Sequence, residues 1–156
     1  MYIAFFNFYT MNYSKDEQAI ADMHVLIIDA FNNGDLEKLL SVHTEDVVIM
    51  EPHRSTIQGI EEVREVFTKA FDHVKKNGIL FKLSFKIHEL EVWGDRAFAR
   101  GQVNKITRNA DGTDKLDAGK YLCLFRKQAD GSWLRSHIIS NEDAAPDPSE
   151  KGFWKD

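Results

Sequence analysis

Glu51, His53 and Arg54 place a carboxylate, an imidazole and a guanidinium around Pro52, the one cluster of polar side chains in the sequence suited to chemistry. A glutamate and a histidine in such a pair can orient each other for acid–base work, because imidazole titrates near neutral pH. A histidine with an arginine can equally hold an anion. A solvated polar loop explains the same residues, and spacing alone leaves the three readings open.

The other reactive types have plainer explanations. His137 lies in an alternating run where Trp133, Arg135, His137, Ile139 and Asn141 share one face, and Leu134, Ser136, Ile138 and Ser140 share the other. Counting from Gly131 turns the second set inward and leaves His137 on the outer face. His24 and His43 sit among helix residues and read as histidines at the edge of a core. Cys123, between Leu122 and Leu124 in a strand, reads as a buried, protonated and inert thiol. No His-x-x-x-His occurs, and Thr107-x-Asn109-x-Asp111-Gly112 resembles a calcium loop only until Ala118, where a bidentate glutamate belongs. A hairpin loop explains it better. Without GxGxxG or a P-loop no nucleotide is implied, so neither metal nor cofactor is expected.

These residues are positioned by helices followed by strands. Ser14 with Glu17 three residues on forms a capping box, and Ile20, Met23, Ile27, Ala30 and Phe31 recur at helical spacing up to Asn33-Gly34. Asp35 caps a short second helix carrying Leu36, Leu39 and Leu40, and Val47 to Met50 form an extended run. After Gly59, the stripe Ile60, Val63, Phe67, Ala70, Phe71 and Val74 marks a third helix, ended by Lys75-Lys76-Asn77-Gly78. The period then changes to two. Phe81, Leu83, Phe85 and Ile87 alternate with polar residues, and the apolar phase flips to Leu90 and Val92, which predicts a β-bulge near His88-Glu89. Turns at Gly94-Asp95, 109–112 and 129–131 separate further strands over 96–107, 121–127 and 133–141. This order predicts an α+β fold with a curved, mostly antiparallel sheet folded around three N-terminal helices.

Composition agrees with one domain. The chain has 43% hydrophobic and 29% charged residues and a net charge of −5, enough for a core without staples and with no basic footprint for nucleic acid. A single cysteine excludes a disulfide scaffold and suits a reducing, cytoplasmic setting. Residues 1–13 read as an N-terminal extension, 14–143 as the domain and 144–156 as a flexible tail. The aromatic stretch 1–10, with no basic region before it and far short of the roughly 20 residues of a membrane span, is neither a signal peptide nor an anchor; it is an upstream-start extension or an aromatic strap.

Asn33-Gly34-Asp35-Leu36-Glu37, Glu45-Asp46-Val47-Val48, Glu51-Pro52, Gly59 before the third helix and Asp130-Gly131-Ser132-Trp133 before the last strand occur in an order that resembles the nuclear transport factor 2-like superfamily. The resemblance is specifically to its SnoaL-like and ketosteroid-isomerase-like domains, and it covers about 14–143. It implies a cone whose sheet wraps three helices around a pocket, and a homodimer formed through the outer sheet face. It also gives Glu51 the place of the proton-transferring base. A carboxylate at the rim of an apolar cavity loses hydration and can shuttle a proton beside a carbonyl. The isomerase also needs a tyrosine on the first helix and a protonated aspartate on the third long strand. Here Ile27 occupies the first place and Leu122 the second, or Tyr121 or Cys123 by a one-residue slip, which argues against steroid isomerisation.

The expectation is therefore a small apolar ligand with no membrane or nucleic-acid partner. Glu51 and His53 are the candidate catalytic residues; Arg54, Met23, Ile27, Phe67, Phe71, Phe98, Leu122, Ser136, Ile138 and Ser140 would contact the ligand. Two functions stay open. One is a cofactor-free isomerase, cyclase or dehydratase acting on a carbonyl compound, and the other is a non-catalytic binding or dimerisation module.

Overall fold

The computed structural model describes residues 13–143; the readings for residues 1–12 and 144–156 fall outside them. Helix α1 (Lys15–Asn33) starts on the expected capping box, with Ser14 Oγ accepting from the Glu17 amide and Glu17 accepting from the Ser14 amide. It ends where Gly34 takes a left-handed conformation at φ 67°, which glycine adopts without a Cβ penalty. Helix α2 (Leu36–Leu40) follows its Asp35 cap, and α3 (Ile60–Lys76) has Glu61 and Glu62 in its first turn and Lys75 and Lys76 in its last, each complementing the helix dipole.

The strands are β1 (His43–Met50), β2 (Ile57–Gln58), β3 (Leu80–Trp93), β4 (Arg96–Arg108), β5 (Asp114–Lys127) and β6 (Trp133–Glu142). They form one curled, unclosed sheet in the order β2-β1-β6-β5-β4-β3, antiparallel except where β1 runs parallel to β6. The helices pack on its concave face, where Ile20, Ala30, Val47, Val63 and Phe125 are fully enclosed. The bulge expected near His88 is present: Ile87 pairs with Gly101 and Glu89 with Arg100, leaving His88 as the extra residue.

Four features differ from the sequence expectation. His43 begins β1 rather than lying among helix residues, and β2 is an added two-residue strand. Strand β5 starts at Asp114, well before 121, because the polar stretch pairs with the end of β4 instead of burying side chains. Finally, β6 carries a second bulge. Phe125 pairs with Arg135 and Leu124 with His137, so Ser136 is the extra residue and the inward phase switches there.

Candidate functional site

Between α1, α3 and the concave face of the sheet lies a cavity of about 310 Å³. Its wall is phenylalanine-rich. The Phe31 ring stacks on Phe81 at 5.7 Å and meets Phe71 edge-on at 5.8 Å, with Phe67 beside them and Phe85 edge-on to Tyr121 at 5.0 Å. Such rings supply large apolar area with defined geometry.

The exposed end of the cavity is charged. Glu51, Pro52 and Arg54 line it with Ser140 and Glu142, and Lys105 and Asp117 complete the rim. The acids there are already paired: Arg54 Nη1 lies 3.5 Å from Glu51 Oε2, His53 Nε2 donates to Glu142 Oε2 at 3.1 Å, and Asp117 takes Lys115 at 2.7 Å and Lys105 at 3.5 Å. Lys115 first, then Lys105, hold the Asp117 carboxyl below the usual carboxylate range.

The buried end is polar but electrically one-sided. Tyr121, Cys123, His43 and Arg135 line it, with Arg135 only 7% exposed. His43 Nδ1 donates to the Leu39 carbonyl at 2.8 Å, and His24, behind Tyr121, donates through Nδ1 to the Ile20 carbonyl at 2.9 Å. A carbonyl only accepts, so neutral His24 presents Nε2 as an acceptor and Tyr121 Oη donates to it at 3.1 Å. Burial, reinforced by the Arg135 charge, pushes the His24 pKa down to about 4 and that of His43 to about 3. Burial also pushes the Tyr121 phenol and the Cys123 thiol up. All four are neutral near pH 7, and the guanidinium is the one charge among them.

The structure distributes the expected site residues unevenly. Glu51, Arg54, Ile27, Phe67, Phe71, Ile138 and Ser140 line the cavity. His53 does not: its side chain is 79% exposed and turned to Glu142, and its backbone holds φ 65°, so no Glu51–His53 acid–base pair forms. Met23 is a core residue outside the cavity lining. Phe98 lies between the buried Ala97 and Ala99 on the opposite face of β4, stacked on Trp93, and Leu122 is exposed on the outer face of β5. Ser136 sits in the β6 bulge, its Oγ donating to the Leu124 carbonyl at 3.2 Å. Arg135 was missed, Tyr121 enters only as a one-residue slip in the acid position, and His43 reads from sequence as a core-edge residue, yet all three line the cavity. A signal for Arg135 existed, since Trp133 and Ile138 lie on opposite phases of one strand and both can face a core only across a bulge. Among the described residues no three His, Cys, Asp or Glu side chains converge as a metal site, and no helix is long and apolar enough to cross a membrane.

The family model of the SnoaL-like domain matches residues 26–136. The chain belongs to the SnoaL-like family. Its fold recurs in a ketosteroid isomerase-like protein from Erwinia carotovora atroseptica, 26% identical, with a TM-score of 0.71 over 85% of this chain and 100% of that one. An NTF2-like protein with a cystatin-like fold from Novosphingobium aromaticivorans, 19% identical, aligns with a TM-score of 0.71 over 84% of each chain. From the same species, a putative aromatic ring hydroxylase aligns at 22% identity and a TM-score of 0.68, over 83% of this chain and 90% of the other. Among curated proteins there is no match. The SnoaL-like assignment bears out the α+β cone expected from the order of motifs, and this family's fold is one that binds small molecules.

Proposed function

We propose that this SnoaL-like domain binds a small, largely apolar carbonyl compound in the cavity, and that Glu51 at its open end is the group that moves a proton. The observation carrying this reading is a phenylalanine-walled cavity of about 310 Å³ with a carboxylate on its rim. That volume is at the small end of ligand pockets, which run roughly 300–1,000 Å³, and so favours a monocyclic or bicyclic molecule over a steroid. Steroid-isomerase chemistry is further disfavoured because Ile27 offers no donor, Leu122 points away, and the Tyr121 hydroxyl already donates to His24. A second reading, binding without turnover, is favoured by the pairing of Glu51 with Arg54. In either case the domain acts in a reducing, cytoplasmic setting as a homodimer joined through the outer sheet face, where Leu122, Leu124 and Ile139 are exposed.

A panel of cyclic ketones and enones, assayed for binding and turnover with the wild type and Glu51→Gln, separates the readings. If Glu51 is the base, the substitution leaves Kd within a few-fold and lowers turnover by about 100-fold or more. Unchanged turnover removes Glu51 from the role, and binding without turnover in the wild type establishes the non-catalytic reading.

A further inference from the structure

Arg135 stands apart from the other arginines. Arg54, Arg64, Arg96, Arg100, Arg108 and Arg126 each have a carboxylate oxygen within 4.0 Å, and all lie at the surface or its margin. Arg135 is the most buried of the seven and, among the described residues, the one without a carboxylate partner. Its Nε is enclosed and has no hydrogen-bond acceptor. A buried guanidinium without a counter-charge costs several kcal/mol, and the neighbouring groups offer no compensation, since the imidazoles of His43 and His24, the Tyr121 phenol and the Cys123 thiol are neutral near pH 7. Apart from its approach to the uncharged Cys123 thiol, the side chain borders the cavity that it lines.

We propose that Arg135 is the anchor for a ligand carboxylate, so that the molecule bound in the cavity is a small aromatic or alicyclic acid with its carboxylate at the buried end and its apolar body against Phe31, Phe67, Phe71 and Phe81. This rests on the reading that the cavity holds a small molecule, and it changes the ligand class from a neutral apolar compound to an amphipathic anion. The guanidinium is a planar fork matched to two carboxylate oxygens, and a charge-assisted pair in a low-dielectric site is stronger and more selective than the same pair in water. The rim supports the polarity: Glu51 and Asp117 already hold the arginine and lysines there and Glu142 takes a hydrogen bond from His53, so an anion gains more from the buried end.

The test uses the full chain with benzoate and cyclohexanecarboxylate as acids, benzamide as the neutral isostere of benzoate, and phenyl phosphate as a larger dianion. Calorimetric titration and thermal shift are read for the wild type, Arg135→Met and Arg135→Lys. The acids are expected to bind the wild type at least tenfold more tightly than benzamide. Arg135→Met should lose at least tenfold in acid binding while its benzamide affinity stays within about threefold, and Arg135→Lys should recover part of the loss. Without ligand, Arg135→Met should melt at least as high as the wild type, because removing an uncompensated buried charge relieves desolvation. Benzoate and benzamide binding equally, with Arg135→Met changing neither, overturns the anchor and leaves the apolar cavity standing. Phenyl phosphate binding in preference to both acids overturns the carboxylate assignment. Failure of all four compounds to bind the wild type overturns the anchor, and the small-molecule reading falls with it only if the cyclic ketones and enones also fail to bind. Should Arg135→Met not fold, the wild-type comparison of benzoate with benzamide decides the matter alone.

Discussion

His24 and His43 show how burial converts a titratable residue into a fixed neutral dipole. Each gives its Nδ1 proton to the carbonyl four residues before it, Ile20 for His24 and Leu39 for His43, and each is enclosed beside a permanent cation, Arg135. Their pKa values of about 4 and about 3 lie below the ordinary 6.5, so between those limits the unfolded chain binds more protons than the folded one. Stability therefore rises with pH through this window: it is complete above about pH 7 and lost as pH falls from 6.5. At pH 5 the cost is about 2 kcal/mol for each histidine. The carboxyls of Asp16, held down by Trp133 and then Lys127, and of Asp46, held down by Arg126 and then Thr44, act in a lower range, below the usual carboxylate pKa. Urea unfolding at pH 7, 6.5, 6, 5 and 4.5 should thus show the midpoint dropping already between pH 6.5 and 5. A flat profile down to pH 4.5 would mean that these imidazoles accept protons without penalty in the fold.

At the scale of elements, what the sequence made legible depended on whether burial or pairing shaped the segment. Helices α1 and α3 were readable because caps and apolar stripes are local, and the β3 bulge was readable because Ile87 and Leu90 show its phase flip directly. The first half of β5 was not, since Lys115, Asp117 and Lys120 are held by backbone pairing with β4 and by ion pairs, which leave no hydrophobic period. The β6 bulge hid the site itself: a strict two-residue alternation sends Arg135 outward with His137, whereas the extra residue Ser136 turns it into the cavity. Glu51 and Arg54 could be placed from sequence, but the turn of His53 toward Glu142, 89 residues away, depends on where β6 ends. The bulges bend the sheet only if the strands can approach closely there. Gly101 faces the β3 bulge, and a Cβ at that position would lie 1.9 Å from the Lys86 carbonyl oxygen, a backbone atom with no freedom to yield. Gly101→Ala should consequently destabilise the domain by about 2–4 kcal/mol and widen or open the cavity beside β4 and β5. Chemical denaturation and the ligand affinities of the variant measure both effects, and wild-type stability in Gly101→Ala would show that the bend does not depend on this contact.

For the molecule as a whole, the same alternation that fills the cone leaves its outside apolar. Tyr121, Cys123 and Phe125 point into the core, so Leu122 and Leu124 must point out, at 36% and 40% exposed, and Ile139 on β6 lies directly opposite Leu122 at 45% exposed. An antiparallel sheet with one wet face ordinarily alternates apolar with polar residues, and three large aliphatic side chains side by side on that face favour a covered surface. A second copy fits this surface because a twofold interface presents the same patch to itself and asks for no further chemistry. Light scattering at micromolar concentration should then give about twice the 18.0 kDa chain mass. Leu122→Glu combined with Leu124→Glu should return the mass to that of one chain while leaving ligand affinity within a few-fold, since neither residue lines the cavity. A wild type that is monomeric at that concentration would assign the outer face to some other contact, and an affinity lost together with the dimer would mean that the cavity wall depends on the partner copy for its shape.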